Sequence, residues 1–527
     1  MERIGMIVVH GVGEQGCFEH LEAIASNLYK ALQAENRQPH IQIFPGGQAS
    51  RGGATGTWKE SPVCVRWKKE SGEEIEASFW EVHWADLDLP RGVWNWLKLV
   101  GWALAMPGVR RFNPPAAPIP PLVFPGPLSR LEAMKVRLQL FAVSFLFFLI
   151  LLSVDLLYFA CRRFYFQAAW LSHIRGLIYD YLGDVKLYQD GFNREDEAIE
   201  TVGERTRVAI QRRMMRVLTR VARKVACGKL DGYYILSHSL GTVVAFNTLM
   251  EHEWIWPHYL NEREYRGLPS AFKRTYVGAT GSFRPSRPSW LGPTDAINRD
   301  VLFSGLRGWL TLGSPLDKFA ALWPAIVPTH PAPIGRGVPW VNVADKQDIV
   351  AGPIDLFPGS TASPKRVGFL ELQNIAWADQ WTLLTAHTRY WKTDQTPGRL
   401  INRLLSWFEG GLATPFIPPQ NRISPCCATA LFCLACVGGG LLALVAAAFL
   451  FWSLGTGIAM TIQWVMSKWV MSHFAMASGV TTWLQQMGDT RFLDCLLPVS
   501  TVILITGAIT IIACSLIRYV WEWWTWK

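Results

Sequence analysis

Tyr234-Ile235-Leu236-Ser237-His238-Ser239-Leu240-Gly241-Thr242 reads as a β-strand that runs straight into a tight turn with a serine at its tip. The residues before the serine are apolar and β-rich, and Thr242-Val243-Val244-Ala245-Phe246 leads away into a helical stretch, so the pattern predicts strand, turn, helix. A turn this sharp strains the backbone of the serine. It also demands small residues two before and two after, where strand and helix approach each other, and Ser237 and Gly241 meet that demand. A hydroxyl held at such a tip is presented as a nucleophile.

The start of the chain supplies a second piece. Arg3-Ile4-Gly5-Met6-Ile7-Val8-Val9 is a short apolar, β-branched run that predicts a buried parallel strand, and His10-Gly11-Val12-Gly13-Glu14 follows at once. A glycine-rich turn there can aim a backbone N–H at the serine. Acyl transfer needs two such donors at the developing oxyanion: the N–H of Leu240 and, from the early loop, that of Val12, with Gly13 as its close rival. His10 reads as a loop-shaping residue rather than a base. Further on, Thr311-Leu312-Gly313-Ser314-Pro315-Leu316 closes a strand-like run. Trp340-Val341-Asn342-Val343-Ala344 reads as a late strand that enters Asp345-Lys346-Gln347-Asp348-Ile349-Val350, and Leu384-Thr385-Ala386-His387-Thr388-Arg389-Tyr390-Trp391 is loop-like, with aromatic neighbours around its histidine.

Taken together these pieces resemble a serine α/β-hydrolase of the lipase and esterase type. The resemblance rests on His10 to Gly13, Ser237 to Gly241, Thr311 to Leu316, Asp348 to Val350 and Ala386 to Trp391, and it covers only the soluble part of the chain. It implies a doubly wound, mostly parallel α/β sheet and a Ser-His-Asp triad in the chain order nucleophile, acid, histidine, with no cofactor and no metal. That order selects His387 as the base, since His252 and His258 come too early, His330 precedes the best acid and His473 sits in a membrane-like tail. Asp345 and Asp348 compete for the acid. Asp348 is favoured because Ile349-Val350 turns back into apolar contact beside it, whereas Asp345, next to Lys346, reads as solvated. In lipases, and in deacylases acting on lipid-anchored substrates, the Gly-Ser-Pro-Leu piece helps to shape the pocket. Ser237 departs from the commoner glycine but leaves the turn plausible.

Half of the 527 residues are hydrophobic and 26 are tryptophan, which assigns part of the chain to lipid. Leu138 to Ala160, Ala428 to Ser453 and Cys495 to Ile517 are each long enough to cross roughly 30 Å of hydrocarbon, and Trp521, Trp523, Trp524 and Trp526 after the last read as an interfacial belt. Val93 to Val109 is marginal, because Asn95 and Lys98 interrupt it and an internal lysine costs about 3 kcal/mol. Topology decides in its favour. The strand at Ile4 to Val9 and the turn at Ser239 must share one sheet, so the chain between them crosses the membrane an even number of times. The favoured reading is a helical hairpin with the stiff Asn113 to Pro121 connector at its tip; the alternatives are two interfacial helices, or buried helices of a large soluble domain. The expected organisation is a first hydrolase part at 1–92, an inserted hairpin at 93–163, the catalytic part at 164–418 and a C-terminal transmembrane region at 419–527. Between the last two strong spans, Ile462 to Gln486 is either interfacial or a further crossing. Asp155, close to Arg162-Arg163, has no assigned catalytic role.

The catalytic strand begins at residue 3, leaving no room for a cleavable signal, and the soluble part's Cys17, Cys64 and Cys227 form no disulfide-like framework. The expectation is an integral protein of a bacterial-type inner membrane with its hydrolase domain in the cytoplasm. The net charge of +10 concentrates in Arg205, Arg207, Arg212, Arg213, Arg216, Arg220, Arg223 and Lys224, read as attraction to anionic headgroups rather than to nucleic acid, for which there is no zinc-ligand spacing or stacking motif. Cys64 to Lys68 and Ile75 to Trp84 predict a strand pair, and His83 and Asp86 are structural. Three functions fit: a hydrolase of lipid or acyl esters, an acyltransferase in which an alcohol replaces water, and a membrane scaffold that keeps the fold without turnover.

Overall fold

Residues 4–9, the apolar run that opens the chain, are all buried, as a strand with helices on both its faces requires. This strand, β1 (Glu2–Val9), lies at the centre of an eight-stranded sheet with β2 (His40–Ile43), β3 (Val63–Lys68), β4 (Glu74–Val82), β5 (Gly232–His238), β8 (Leu306–Leu312), β9 (Pro339–Asp345) and β10 (Glu371–Trp377). Two three-residue strands, β6 (Lys273–Thr275) and β7 (Asp295–Ile297), pair apart from it. The order across the sheet is β10-β9-β8-β5-β1-β4-β3-β2. The six strands from β10 to β4 run parallel, and β3 and β2 add an antiparallel edge. The computed structural model describes residues 1–12, 18–43, 63–84, 185, 188, 206–276, 287–322, 327, 338–348, 350–354, 371–380, 386–391, 399–410, 415–431 and 434.

The alternation of strand side chains builds two cores. Ile7, Val9, Ile235, Trp309 and Trp340 face helices α2 (Thr206–Ala226) and α3 (Leu240–Met250). Ile4, Met6, Val8, Leu236, Leu310 and Val341 face α1 (Glu19–Ala34) and α4 (Leu400–Gly410). Every residue of α3 is buried, which explains why its sequence has no polar stripe. Two of its polar side chains are anchored from within: Asn247 Nδ2 donates to Tyr188 Oη at 2.7 Å and Thr248 to the Val244 carbonyl at 3.0 Å.

β1 and β5, expected to share one sheet, are immediate neighbours, with Ile4 opposite Gly232 and Val9 opposite Ser237. From β1 the chain goes to β4 on one side and returns to β5 on the other. The exits of β1 and β5 therefore form a topological switch point, where parallel sheets open a crevice. The expected pair at Cys64 to Lys68 and Ile75 to Trp84 appears as β3 and β4.

The basic stretch differs from its reading as a headgroup-facing surface. Arg207, Arg212 and Arg216 are buried. Arg216 pairs with Glu264 at 2.8 Å, and Arg213 donates to the His83 carbonyl at 2.9 Å. Helix α2 is covered on more than one side, so these buried arginines serve the fold, while Arg223 in its last turn is exposed.

The chain divides into two compact units, Met1–Val136 with Asp180–Thr429, and Arg137–Tyr179 with Ala430–Lys527. The expected hairpin at 93–163 and all but the first residues of the C-terminal region's spans lie outside the described residues. Among the described residues no helix is long and apolar enough to cross a membrane.

Candidate active site

Ser239 sits between β5 and α3 with φ 53° and ψ −131°, a backbone conformation that costs a non-glycine residue roughly 1–3 kcal/mol. Two glycines let the neighbouring chain close on it. A Cβ on Gly241 would lie 2.3 Å from the His10 carbonyl oxygen, and one on Gly11 would lie 2.4 Å from the Ser239 Cβ. The turn is then tied down by hydrogen bonds: Ser239 N–H donates to Leu312 O at 2.9 Å, and Thr242 gives its N–H and its hydroxyl to Ser239 O at 2.9 and 2.7 Å. Ser237 uses the hydroxyl that a glycine would lack. It accepts from Trp309 Nε1 at 2.8 Å and donates to Leu310 O at 3.2 Å, so the departure from glycine is stabilised by its own partners.

The structure brings the three distant residues together. Ser239 Oγ is 2.7 Å from His387 Nε2, and His387 Nδ1 is 2.8 Å from Asp348 Oδ2. Asp348 accepts further from Tyr390 Oη at 2.8 Å, and its Oδ1 accepts from the N–H groups of Val350 and Ala351 at 2.8 and 3.2 Å. Burial alone would push its carboxyl up, but the nearby His387 and these hydrogen bonds hold it well below the usual carboxylate range. Asp348 thus presents a fixed negative charge to one side of the imidazole while the serine hydroxyl meets the other.

Asp345 is not solvated, contrary to the sequence reading. It is buried, and its carboxylate accepts from the N–H groups of Gln347, Asp379 and Gln380 at 2.8, 2.9 and 3.2 Å. Burial pushes its pKa up to about 7 against those donors. Its side chain ties the exits of β9 and β10 together, and Lys346 beside it in sequence says nothing about that environment. Gly313 lies against the same cluster. It has φ +60°, and a Cβ there would meet Asp348 Oδ2 and Tyr390 Cε2 at 3.1 Å and His387 Cε1 at 3.2 Å. The Gly-Ser-Pro-Leu piece therefore underlies the carboxylate and imidazole themselves, and Ser314 Oγ meets Thr242 Oγ1 at 2.9 Å to lock it against the turn.

The loop after β1 is held from both of its described ends. His10 is buried, its Nε2 accepts the Trp84 N–H at 2.9 Å and its Nδ1 meets the Gly11 carbonyl at 2.8 Å. Only the neutral Nδ1–H tautomer makes both bonds, in keeping with a loop-shaping histidine. At the other end Glu81, pushed up to about 7 by burial, accepts the Phe18 N–H at 2.5 Å. Val12 packs partly buried against the core on the α2 side, and Leu240 is the buried first residue of α3; Gly13 lies outside the described residues.

Two residues around the Ser-His-Asp chain escaped the sequence reading. Tyr390 follows His387 closely enough that the aromatic content of the loop was visible, but its bridging role, accepting the Asp345 N–H at 2.9 Å while donating to Asp348, was not. Gly313 was visible as a strand-end glycine. Among the described residues no three His, Cys, Asp or Glu side chains gather as metal ligands, and of the pair His83 and Asp86 the second lies outside them. A cavity of about 350 Å³ lined by Arg216, Arg220, Arg223, Lys224 and Lys229 lies by the entry of β5, at the opposite end of that strand from Ser239. Compared with protein-family models, curated proteins and solved structures, the chain finds no match.

Proposed function

We propose that the chain is a membrane-anchored serine hydrolase of the α/β-hydrolase type that cleaves ester bonds of lipid or acyl substrates. The observation that carries this reading is the unbroken chain of contacts from Ser239 Oγ through His387 to Asp348, at 2.7 and 2.8 Å, with the serine on a strained turn. Its lipid side rests on the apolar segments of the sequence.

The proposed chemistry follows from those contacts. Ser239 Oγ attacks the ester carbonyl carbon as its proton passes to His387 Nε2, and Asp348 stabilises the imidazolium that results. The tetrahedral intermediate collapses by breaking the bond to the alcohol, which leaves with the proton from His387. Water then gives a proton to His387 and attacks the acyl-serine, and the second intermediate collapses by breaking the bond to Ser239 Oγ, which takes the proton back from His387 as the acid leaves. The negative oxygen of each intermediate needs donors that are free of other work. The first N–H groups of a helix have no acceptor within it, which makes Leu240 at the start of α3 suited to the task. Val12 is the second donor, on the loop that Gly11 presses against Ser239. Each such donor contributes roughly 10²- to 10³-fold.

The test is labelling of the full-length protein in membranes with a fluorophosphonate, which reacts with activated serines. Labelling of the wild type, and its loss in Ser239→Ala by about 10⁴-fold or more, is the expected result. An unlabelled wild type would favour a scaffold without turnover.

A further inference from the structure

Immediately before Ser239 stands a histidine that the proposed reaction does not use. His238 ends β5 and is buried, and its Nε2 lies 2.6 Å from the main-chain oxygen of His387. Because a carbonyl can only accept, the ring nitrogen is the donor and His238 is the Nε2–H tautomer. Its ring lies 4.9 Å from that of His387 and 5.8 Å from that of Tyr390, and is stacked 5.5 Å from that of His20. His20, in the first turn of α1, completes the arrangement by accepting from Trp391 Nε1 at 3.1 Å. Two stacked histidines thus hold the short loop from His387 to Trp391 at its two ends.

We infer that His238 is a positioning residue: by donating to the main-chain carbonyl of His387 it fixes the direction in which the base leaves the backbone. The inference rests on the reading of Ser239 and His387 as nucleophile and base. The imidazole of His387 must satisfy Ser239 on one edge and Asp348 on the other, so it has no slack along that line. Its remaining freedom lies in its own backbone, whose carbonyl His238 grips. Burial, with the neighbouring His387, lowers His238 to about 3, and burial and His238 lower His20 well below its usual value, so the stacked pair stays uncharged. The turn that follows β5 therefore sets the serine, and the last residue of β5 sets the base that serves the serine. The two are indexed to the same strand end.

A pair of variants of the full-length protein tests this by fluorophosphonate labelling, with the maximal labelling rate separated from the probe concentration at half-maximal rate. His238→Phe keeps a ring and loses the donor; His238→Gln carries an amide N–H near the position of Nε2. A displacement on the order of 1 Å costs roughly 10²-fold, so His238→Phe is expected to lower the maximal rate by about 10- to 100-fold with the half-maximal concentration nearly unchanged, and His238→Gln to recover most of it. A purely structural role does not produce that split or that rescue. Wild-type labelling rates in His238→Phe, a change confined to the half-maximal concentration, or a His238→Gln as slow as His238→Phe would each overturn the inference while leaving the nucleophile assignment standing. An unlabelled wild type overturns both. Should His238→Phe fail to fold, His238→Asn, too short to reach the carbonyl, takes its place with the same expected outcomes.

Discussion

The two ends of the central strands use their polar contacts differently. At the entry of β1 and β5, Arg3 and Asp231 pair at 3.8 Å with their side chains 36% and 41% exposed, and Lys69 meets Glu2 at 2.8 Å. At the exit, Asp348 has no side-chain exposure and Ser239, His238 and Asp345 are buried. Water competes for these ion pairs at the first end and for almost none of the groups at the second. Exposed pairs contribute about 0–1 kcal/mol each, whereas a buried polar group left without its partner costs about 1–3 kcal/mol, and more if charged. Geometry at the exit is consequently specified by hydrogen bonds, and at the entry it is merely tolerated by them.

The largest expected contrast is at Asp348. Asp348→Asn should leave the protein folded but lower labelling and ester hydrolysis by about 10⁴-fold, because an amide cannot accept at Oδ2 from His387 and Tyr390 and also hold the imidazole in the required tautomer. Gly313→Ala comes next. A left-handed alanine costs roughly 1–2 kcal/mol, and its methyl would press on Asp348, Tyr390 and His387; a lowered melting temperature and an activity loss on the order of 10²-fold are expected.

The pH dependence sharpens the comparison further. Folded His238 stays uncharged down to about 3 because of burial, while the unfolded histidine takes up a proton near 6.5. Between those values the unfolded chain binds more protons, so this residue lowers stability as pH falls from about 6.5 towards 3. Asp345, raised by burial to about 7 from 3.8, acts in the opposite sense: its contribution is lost as pH rises through that window. Denaturant unfolding of wild type and His238→Gln across that range isolates the first effect, and the expected result is a shallower acid loss in the variant. At the entry end Asp231→Asn is expected to change stability by less than about 0.5 kcal/mol and activity not at all; a larger change would erase the contrast between the two ends.

How much of this was legible beforehand follows from the range of the interactions involved. β1, β5 and the turn at Ser239 are announced by local patterns of apolar and small residues, and Asp348 and His387 follow from chain order once the turn is recognised. The character of Asp345 was misread because its donors come from Gln347, Asp379 and Gln380, two of them on another strand's exit. The arginines of α2 were assigned to a surface for the same reason: the partner that takes Arg216 inward, Glu264, stands 48 residues away. Gly313 and His238 each read as ordinary residues of a strand end until the loop carrying His387 is laid against them.

The position of β1 has a consequence for how the chain is made. Its partner on one side, β5, is remote enough that the hydrogen bond from the Arg3 N–H to Asp231 spans 228 residues. At roughly 5–20 residues per second, translation leaves that edge of β1 without its neighbour for about 10–45 s after β1 emerges. Through that interval the apolar residues of β1 wait beside an unfilled place in the sheet, a template to which any other extended strand can add. The serine that follows β5 arrives with the strand that closes this edge, so the nascent chain cannot acquire its nucleophile before that edge of β1 can be paired.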